Sequence, residues 1–311
     1  MKKIILIAGS IMLAICICIS TLLFIKGRSS AEAQLAEEVQ NEEAQVVTAN
    51  QITTDGDLQE KDTVVSDEIE IIDILKDSFK GKLMIIQDPS RVFLGTIPEF
   101  GQTAGMTVQD IIHCYNENGD AVIGGVNGGD FVDFSSENSY TGLPVGIVIS
   151  EGKIVYAEND DYDILYPITG LTTDNRLIIG EYSLNQAVEL GIRDAVYCTH
   201  ETEPFLIKEG EILTGLFSVA AVPGGGKNPR TAIGQRADGA ILLLAIDGRQ
   251  EGSLGADYEE LAACMAEYGA VTAAAMHGGT STQMVYNDEL LNNPYSPTGP
   301  RKCPTAWLVR E

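Results

Sequence analysis

Two segments of this 311-residue chain repeat one spacing, which constrains the fold more than any other feature. Each begins with a helix-capping residue, reaches a glycine 12 residues later and, 8 residues after that, a polar residue followed by Gly-Gly. These residues are Thr107, Gly119 and Asn127 in the first segment, and Asp257, Gly269 and His277 in the second. An apolar stripe after each cap predicts a helix, and an apolar run after each glycine predicts a buried strand. We expect the loops at Asn127 and His277 to share one cleft, although such units are common enough for a chance match.

The remainder of the body alternates short apolar segments with turn residues. A third capping box, Ser183 with Gln186, begins a short helix that ends at Gly191. Runs rich in Val and Ile between Gly, Asp and Pro predict strands at 82–86, 121–126, 145–149, 153–157, 240–246, 271–275 and 305–309. The pattern predicts a single α+β domain over residues 66–311, with a mixed β-sheet and a few packed helices.

The N-terminus contains an uncharged apolar run of 22 residues, from 4 to 25. As a helix it would be about 33 Å long, enough for the hydrocarbon core of a bilayer. Two lysines precede it, and Lys26 and Arg28 follow it. We predict a signal-anchor over residues 1–28 that crosses the cell membrane once and places the domain outside the cytoplasm. The alternative is a signal peptide cleaved near Ala31-Glu32-Ala33, which would give a secreted protein.

Residues 29–65 contain no aromatic side chain, so we predict a flexible acidic stalk between the anchor and the domain. The chain carries a net charge of −25, of which the first 65 residues contribute −4 and the remainder −21. A body this anionic is repelled by phosphate backbones and anionic lipid surfaces. The charge therefore argues against nucleic-acid partners and against peripheral membrane binding, while leaving room for one local basic site.

Cysteine and glycine motifs narrow the function further. The body cysteines, at 114, 198, 264 and 303, form no CxxC pair. We interpret them as buried thiols, with disulfides as the open alternative. The Gly224–Lys227 run lacks both the upstream glycine and the following hydroxyl of a phosphate-binding loop. We expect no cofactor, and the sequence leaves a bound metal undecided.

Several motifs, in a consistent order along the body, resemble the phosphodiester glycosidase family. They are Asn127-Gly128-Gly129 with Asp133, Gly142–Gly146, Glu151-Gly152-Lys153, Pro229–Gly234, Asp247-Gly248-Arg249 with Ser253 and Gly255, Asn293-Pro294, and Gly299-Pro300-Arg301. The resemblance covers about residues 85–309. It implies a hydrolase that cleaves a sugar-1-phosphodiester in a surface glycan or glycosyl-phosphate. Bacterial members of the family are often exopolysaccharide proteins.

The resemblance also suggests roles for individual residues. A phosphate needs a cation, for which Arg230 and Arg249 are suited because a guanidinium binds phosphate oxygens in a bidentate manner. Asp247 and Asp133 are the candidate carboxylates for the sugar or the water. The other predicted substrate-binding residues are Asn127, Gly128, Gly129, Gly278, Gly279, Ser281, Thr282 and Arg301. The roles of the arginines and carboxylates have structural alternatives: Asp247 and Arg249 could form an ion pair within a turn, Arg230 could pair with a structural carboxylate, and Asp133 could cap a turn.

The chain departs from the family pattern at two positions. His277 stands where the family usually has an aspartate, and Asp130 where it usually has an aromatic residue. His277 could act as a base, bind phosphate, or indicate a domain that has lost catalysis. We therefore predict a glycosidase with Asp247, His277 and Asp133 as catalytic candidates. The alternative is a non-catalytic module for glycan binding or exopolysaccharide assembly.

Overall fold

The computed structural model describes residues 69–132, 141–198, 204–213 and 226–311, all within a unit that runs Val64–Glu311. The predicted anchor, the stalk and Asp133 lie outside these residues. Among the helices that the model describes, none has both the length and the apolar character needed to span a bilayer.

The largest sheet has seven strands in the order β1-β2-β13-β12-β14-β10-β11. Its strands, numbered along the chain, are β1 (Ile69–Leu75), β2 (Lys80–Ile86), β10 (Phe205–Lys208), β11 (Glu211–Ile212), β12 (Arg230–Arg236), β13 (Ile241–Ile246) and β14 (Ala270–Met276). Every residue of β13 is buried, because this strand is covered on both faces. Such a strand reads as a continuous apolar run rather than an alternating one.

Two five-stranded sheets pack with it, in the orders β16-β15-β4-β17-β3 and β6-β5-β9-β7-β8. The second sheet consists of β3 (Val92–Thr96), β4 (Val122–Asn127), β15 (Met284–Tyr286), β16 (Glu289–Leu290) and β17 (Thr305–Arg310). The third consists of β5 (Ile147–Ser150), β6 (Lys153–Ala157), β7 (Tyr166–Thr172), β8 (Leu177–Tyr182) and β9 (Ile192–Tyr197). A central core cluster contains residues from all three sheets, including Leu243, Trp307 and Val148.

The described residues form three α-helices, α1 (Val108–Glu117), α2 (Leu184–Glu189) and α3 (Tyr258–Glu267). All three predicted capping boxes form, with Thr107, Ser183 and Asp257 as N-caps. The predicted stop glycines follow the helices in left-handed conformation; φ is +100° at Gly119 and +87° at Gly269. Each helix covers its own sheet, since α1, α2 and α3 contribute to separate core clusters.

The sheet-rich α+β domain with few helices is confirmed, but its strands are arranged differently from the single mixed sheet that we expected. The described strands form three sheets, and the hydrogen-bonded strand pairs within the described residues are all antiparallel. In each repeated unit the helix connects two strands of one sheet that lie on either side of a third: α1 joins β3 to β4 around β17, and α3 joins β13 to β14 around β12. The two strands that each helix joins run parallel to each other but are not hydrogen-bonded, because the strand between them pairs antiparallel with both.

The body cysteines are thiols rather than disulfides, as interpreted from the sequence. Cys198, Cys264 and Cys303 are buried, whereas Cys114 on α1 is half-buried. Burial raises the pKa of the Cys264 thiol to about 11 and that of Cys303 to about 12. Both thiols therefore stay protonated at neutral pH and behave as small apolar side chains.

Candidate active site

The loops that follow β4 and β14 meet, as the repeated spacing predicted. Nδ2 of Asn127 donates to the carbonyl of His277 at 2.6 Å, and the His277 amide donates to the carbonyl of Gly128 at 3.2 Å. Oδ1 of Asn127 accepts from the Thr231 hydroxyl at 2.8 Å and the Gln283 amide at 3.2 Å. Asn127 is fully buried, so its amide joins the strand ends instead of facing a ligand.

Three arginines reach successive residues of the loop after His277. A Cβ placed on Gly278 would lie 3.8 Å from Cδ of Arg230, and one on Gly279 would lie 3.5 Å from Nη2 of Arg249. Nη1 of Arg301 donates to the Thr280 hydroxyl at 3.1 Å. A local basic site therefore exists within an anionic protein, at the loop that the sequence singled out.

The three guanidinium groups differ in how they are held. Arg230 is 4% exposed, lies 3.8 Å from the Tyr258 ring centroid and donates to the carbonyls of Ala256 and Gly226. Burial lowers the pKa of Arg230, although a guanidinium remains charged at neutral pH. Arg249 is exposed and donates from Nε and Nη2 to Oδ1 of Asn228 at 2.9 and 2.7 Å. Arg249 is therefore presented to solvent, whereas the Arg230 guanidinium is buried and held by carbonyls that lie outside this loop.

Arg249 also has an unusual backbone conformation. Its φ is +57°, in the left-handed region that a non-glycine residue adopts at a cost of about 1–3 kcal/mol. The flanking turn maintains it, since the Arg249 amide donates to the carbonyl of Leu254 at 3.2 Å. Strain of this kind concentrates at binding sites, where it aims a side chain that a relaxed turn would direct elsewhere.

His277 lies beside two residues of the opposite loop. Its Nδ1 is 3.4 Å from Oδ1 of Asp130, and the centroid of its ring is 4.3 Å from that of Phe131. The guanidinium carbon of Arg301 is 5.5 Å from the Phe131 ring centroid. Phe131 thus lies beside both the imidazole of His277 and the guanidinium of Arg301.

Asp247 is connected to the same loop through Asn292. Oδ1 of Asp247 accepts from Nδ2 of Asn292 at 3.1 Å and from the Asn293 amide at 2.8 Å. The Asn292 amide also donates to the carbonyl of Thr282 at 3.1 Å. Burial raises the pKa of the Asp247 carboxyl, while these donors act in the opposite direction. Within the described residues Asp247 and Arg249 form no ion pair with each other, so the structural alternative of an Asp247–Arg249 turn ion pair is not found.

The paired glycines, which we predicted to bind substrate, are required by the packing and backbone of the protein itself. A Cβ on Gly128 would lie 2.3 Å from Oγ1 of Thr305, one on Gly129 2.6 Å from the carbonyl of Tyr197, and one on Gly278 2.8 Å from the carbonyl of Pro229. Close packing of the protein itself therefore requires three of these glycines. Gly279 is required by its left-handed backbone, with φ at +65°.

The two predicted hydroxyl ligands are also inside the protein. Ser281 and Thr282 have no exposed surface, and their hydroxyl oxygens have no hydrogen-bond partner among the described residues. In this conformation neither hydroxyl reaches a sugar. The neighbouring Thr280 is partly exposed and contacts Arg301, so it is the hydroxyl of this loop that a ligand can meet.

A pocket of about 400 Å³ lies next to Thr280, in the loop that follows His277. Its lining includes Thr280, Ser296, Thr298, Arg301 and Lys302. The volume falls within the range typical of small-molecule sites, and two of its lining residues are cations. In residues 69–132, 141–198, 204–213 and 226–311, no three His, Cys, Asp or Glu side chains are grouped as metal ligands would be.

The structure thus brings together most of the predicted site residues, including Asp247, His277, Arg249 and Arg301. Asp133 lies outside the described residues and stays a prediction. The sequence reasoning did not assign Asp130, Thr280 or Asn292 to the site. In the sequence, Asp130 stands out only as a departure from the family pattern. A single asparagine such as Asn292 belongs to no motif or repeated spacing that could identify it.

The phosphodiester glycosidase family matches residues 120–310, which is more than half of the chain. The protein belongs to this family. Most of the fold and all of the described site motifs from Asn127 onward lie within the matched region. The departures at positions 130 and 277 lie within the matched residues.

Solved structures share the fold. The catalytic domain of zebrafish N-acetylglucosamine-1-phosphodiester α-N-acetylglucosaminidase, auto-inhibited by its pro-peptide, superposes with a TM-score of 0.60 at 23% identity, covering 78% of this chain and 82% of that one. A protein from Burkholderia pseudomallei superposes with a TM-score of 0.51 at 19% identity, covering 74% of each chain.

A relative of known sequence is the SPbeta prophage-derived uncharacterized protein YomE of Bacillus subtilis, 34% identical over 67 residues. The matched segment is 22% of this chain and only 10% of YomE. This similarity is therefore local, and it does not extend to the remainder of the longer protein.

Proposed function

We propose that this phosphodiester glycosidase hydrolyses a sugar-1-phosphodiester, in a surface glycan or a glycosyl-phosphate, on the outer side of the cell membrane. The observation that carries the proposal is the approach of Arg230, Arg249 and Arg301 to three successive residues of the loop after His277. A phosphodiester is an anion, and a protein with a net charge of −25 would attract it only at such a local basic site.

Arg249 and Arg301 are the residues that we assign to the phosphate. Arg249 is exposed, and Arg301 lines the pocket together with Lys302. Planar guanidinium groups can bind two phosphate oxygens at once, which fixes the orientation of the diester as well as its position. Arg230 is buried and donates to the carbonyls of Ala256 and Gly226, so we do not assign it a direct contact with the phosphate.

The reaction breaks the bond between the anomeric carbon and the bridging oxygen. A phosphate monoester leaves as an anion without a strong general acid, and the arginines stabilise it as its charge increases. The sugar passes through a cationic state that a carboxylate stabilises, the role we assign to Asp247. His277 is the residue beside the arginines that can accept a proton near neutral pH.

The test is a hydrolysis assay on the purified full-length chain, with nucleoside diphosphate sugars and methyl diesters of hexose- and N-acetylhexosamine-1-phosphates as substrates. We expect turnover of at least one diester, and a 10–100-fold loss of kcat/KM in Arg249→Ala and in Arg301→Ala. Arg176→Ala is the matched control, because that exposed arginine pairs with Asp174 in the turn between β7 and β8.

The competing function is a module that binds glycan without cleaving it. The histidine at 277 favours this function, because an imidazole lacks the permanent negative charge of an aspartate. Binding of a phosphodiester without turnover, combined with new turnover in His277→Asp, would establish the binding module and reject the hydrolase.

A further inference from the structure

The pairing of His277 with Asp130 adds a residue to the chemistry proposed above. The two side chains are 19% and 16% exposed and approach to 3.4 Å between Nδ1 and Oδ1. We propose that Asp130 is a positioning residue that fixes the tautomer of His277, so that Nε2 becomes the base for the attacking water. This inference rests on the proposed function and deepens it.

The carboxylate of Asp130 has a fixed direction. The Asp130 amide donates to the carbonyl of Tyr197 at 3.3 Å, and its carbonyl accepts from the Val145 amide at 3.2 Å. Oδ1 also accepts from the amide of Phe131 at 2.9 Å. The residue is thus held on both sides of its backbone and at its side chain, and the held oxygen is the one that faces His277.

The imidazole is held as firmly as its partner. Hydrogen bonds to Gly128 and from Asn127 fix the His277 backbone, and the ring of Phe131 packs against one face. A separation of 3.4 Å is longer than a good hydrogen bond, but catalytic hydrogen bonds commonly tighten when substrate binds. Only a small movement is needed to form the hydrogen bond, because Nδ1 of His277 and Oδ1 of Asp130 already lie 3.4 Å apart.

The charges around His277 explain why a carboxylate is needed there. Arg301 lies 5.5 Å from the centroid of the Phe131 ring, and Arg230 and Arg249 approach the two glycines that follow His277. Asp130 lies within ion-pair distance of the imidazole, so its carboxylate offsets the repulsion from these cations when His277 takes a proton.

The tautomer follows from the same contact. An imidazole that carries its neutral-state proton on Nδ1, toward a carboxylate, has its lone pair on Nε2. In the reaction the water oxygen bonds to the anomeric carbon while one water proton moves to Nε2. The bond from that carbon to the phosphate oxygen breaks, and its electron pair leaves with the phosphate monoester. The proton on Nε2 then returns to solvent.

The experiment combines nitrogen NMR with kinetics on the full-length chain labelled at histidine. The chain has only three histidines, so His113→Gln and His277→Gln assign the signals. In the wild type at high pH we expect the proton of His277 on Nδ1 and the lone pair on Nε2. In Asp130→Asn we expect that preference to weaken, and kcat for the diester to fall 10–100-fold with KM changed less than threefold.

A second His–Asp pair provides the matched control. Nε2 of His113 on α1 lies 2.6 Å from Oδ1 of Asp288, which is in the turn between β15 and β16. Both side chains are at least half exposed. Asp288→Asn should alter the His113 signal and leave both the His277 signal and kcat unchanged. The same chemical change is thereby made outside the site.

Each outcome has one meaning. A neutral wild-type His277 with its proton on Nε2 overturns the inference without any Asp130 variant, so a folding failure of Asp130→Asn does not leave it untested. Wild-type turnover with an unchanged kcat in Asp130→Asn overturns the inference alone and leaves the proposed function standing. A wild-type chain that hydrolyses none of the diesters overturns the proposed function and the catalytic role of the pair together.

Discussion

At the scale of single residues, the two departures from the family pattern are in contact. His277 considered alone lacks the negative charge of an aspartate, and the sequence offered Asp247 or Asp133 as the replacement. The structure places Asp130 at 3.4 Å from His277, so a carboxylate is present after all, on the opposite loop. The repeated spacing predicted that the two loops meet, but not which side chains come together, because Asp130 and His277 follow strands of different sheets and meet only through tertiary packing.

Asp247 provides a residue-scale prediction that separates catalysis from stability. Its carboxyl has a raised pKa because it is buried, so the charged form is unfavourable in the native state. Its contribution to stability is complete below the unfolded-state pKa and is lost as pH rises through the native one. We expect Asp247→Asn to melt at pH 7 no lower than the wild type, while turnover falls about 100-fold. Thermal melts at pH 4 and pH 7 and a kcat measurement check this.

Asparagine at 247 can still accept hydrogen bonds from Asn292 and the Asn293 amide, which keeps the loop in place. Asp238→Asn is the control, since that exposed aspartate pairs with Arg236 at a turn. A large drop in the melting temperature of Asp247→Asn, with turnover lost in proportion, would mean that Asp247 serves the fold alone.

At the scale of secondary-structure elements, the helices and the apolar strands were readable because their signals are local. Each capping box occupies four residues, and the stop glycines Gly119 and Gly269 each lie two residues beyond the end of their helix. Strands such as β7 and β12 were missed because they contain Pro, Gly, Thr or Arg within the ladder. In β12 those polar residues have partners on other sheets: Thr231 bonds Asn127, and Gln235 bonds the Leu177 amide.

Asn127 gives a prediction at this scale, because its amide joins β4, β12 and the loop after β14. Asn127→Ala leaves the Thr231 hydroxyl, the Gln283 amide and the His277 carbonyl without their partner. Unsatisfied buried groups cost about 1–3 kcal/mol each, with partial relief by relaxation. We expect a loss of about 2–4 kcal/mol in the free energy of unfolding, measured by urea titration.

Asn185→Ala is the matched control. Asn185 is exposed at the start of α2, and its side chain donates to Asp163 in a surface contact. That change should cost less than about 0.5 kcal/mol. A similar small cost for Asn127→Ala would show that the loops are held together by other contacts.

At the scale of the whole molecule, the sequence predicted the type of domain and the meeting of two loops, but not the division into three sheets. Strand pairing across sheets depends on contacts between residues far apart in the chain, and no local pattern encodes it. The cell location is likewise a matter of the N-terminal 65 residues, for which the proposal rests on the sequence alone.

The location gives its own prediction. If residues 1–28 anchor the chain and 29–65 form a polar stalk, protease added to intact spheroplasts should release a soluble fragment that begins within 29–65. Released protein should appear without detergent, and a cytoplasmic marker protein should remain intact as the control. A body that stays protected until the membrane is dissolved would contradict the proposed orientation.

The proposed reaction breaks the bond between the sugar carbon and the bridging oxygen, and hydrolysis in ¹⁸O-labelled water distinguishes this cleavage from cleavage at phosphorus. A purified full-length chain is given the sugar-1-phosphate diester that it turns over fastest, and mass spectrometry locates the label. We predict that the heavy oxygen appears on the released sugar and that the phosphate monoester carries none. Label in the phosphate product would show cleavage of a phosphorus–oxygen bond instead, and that result would contradict the glycosidase mechanism.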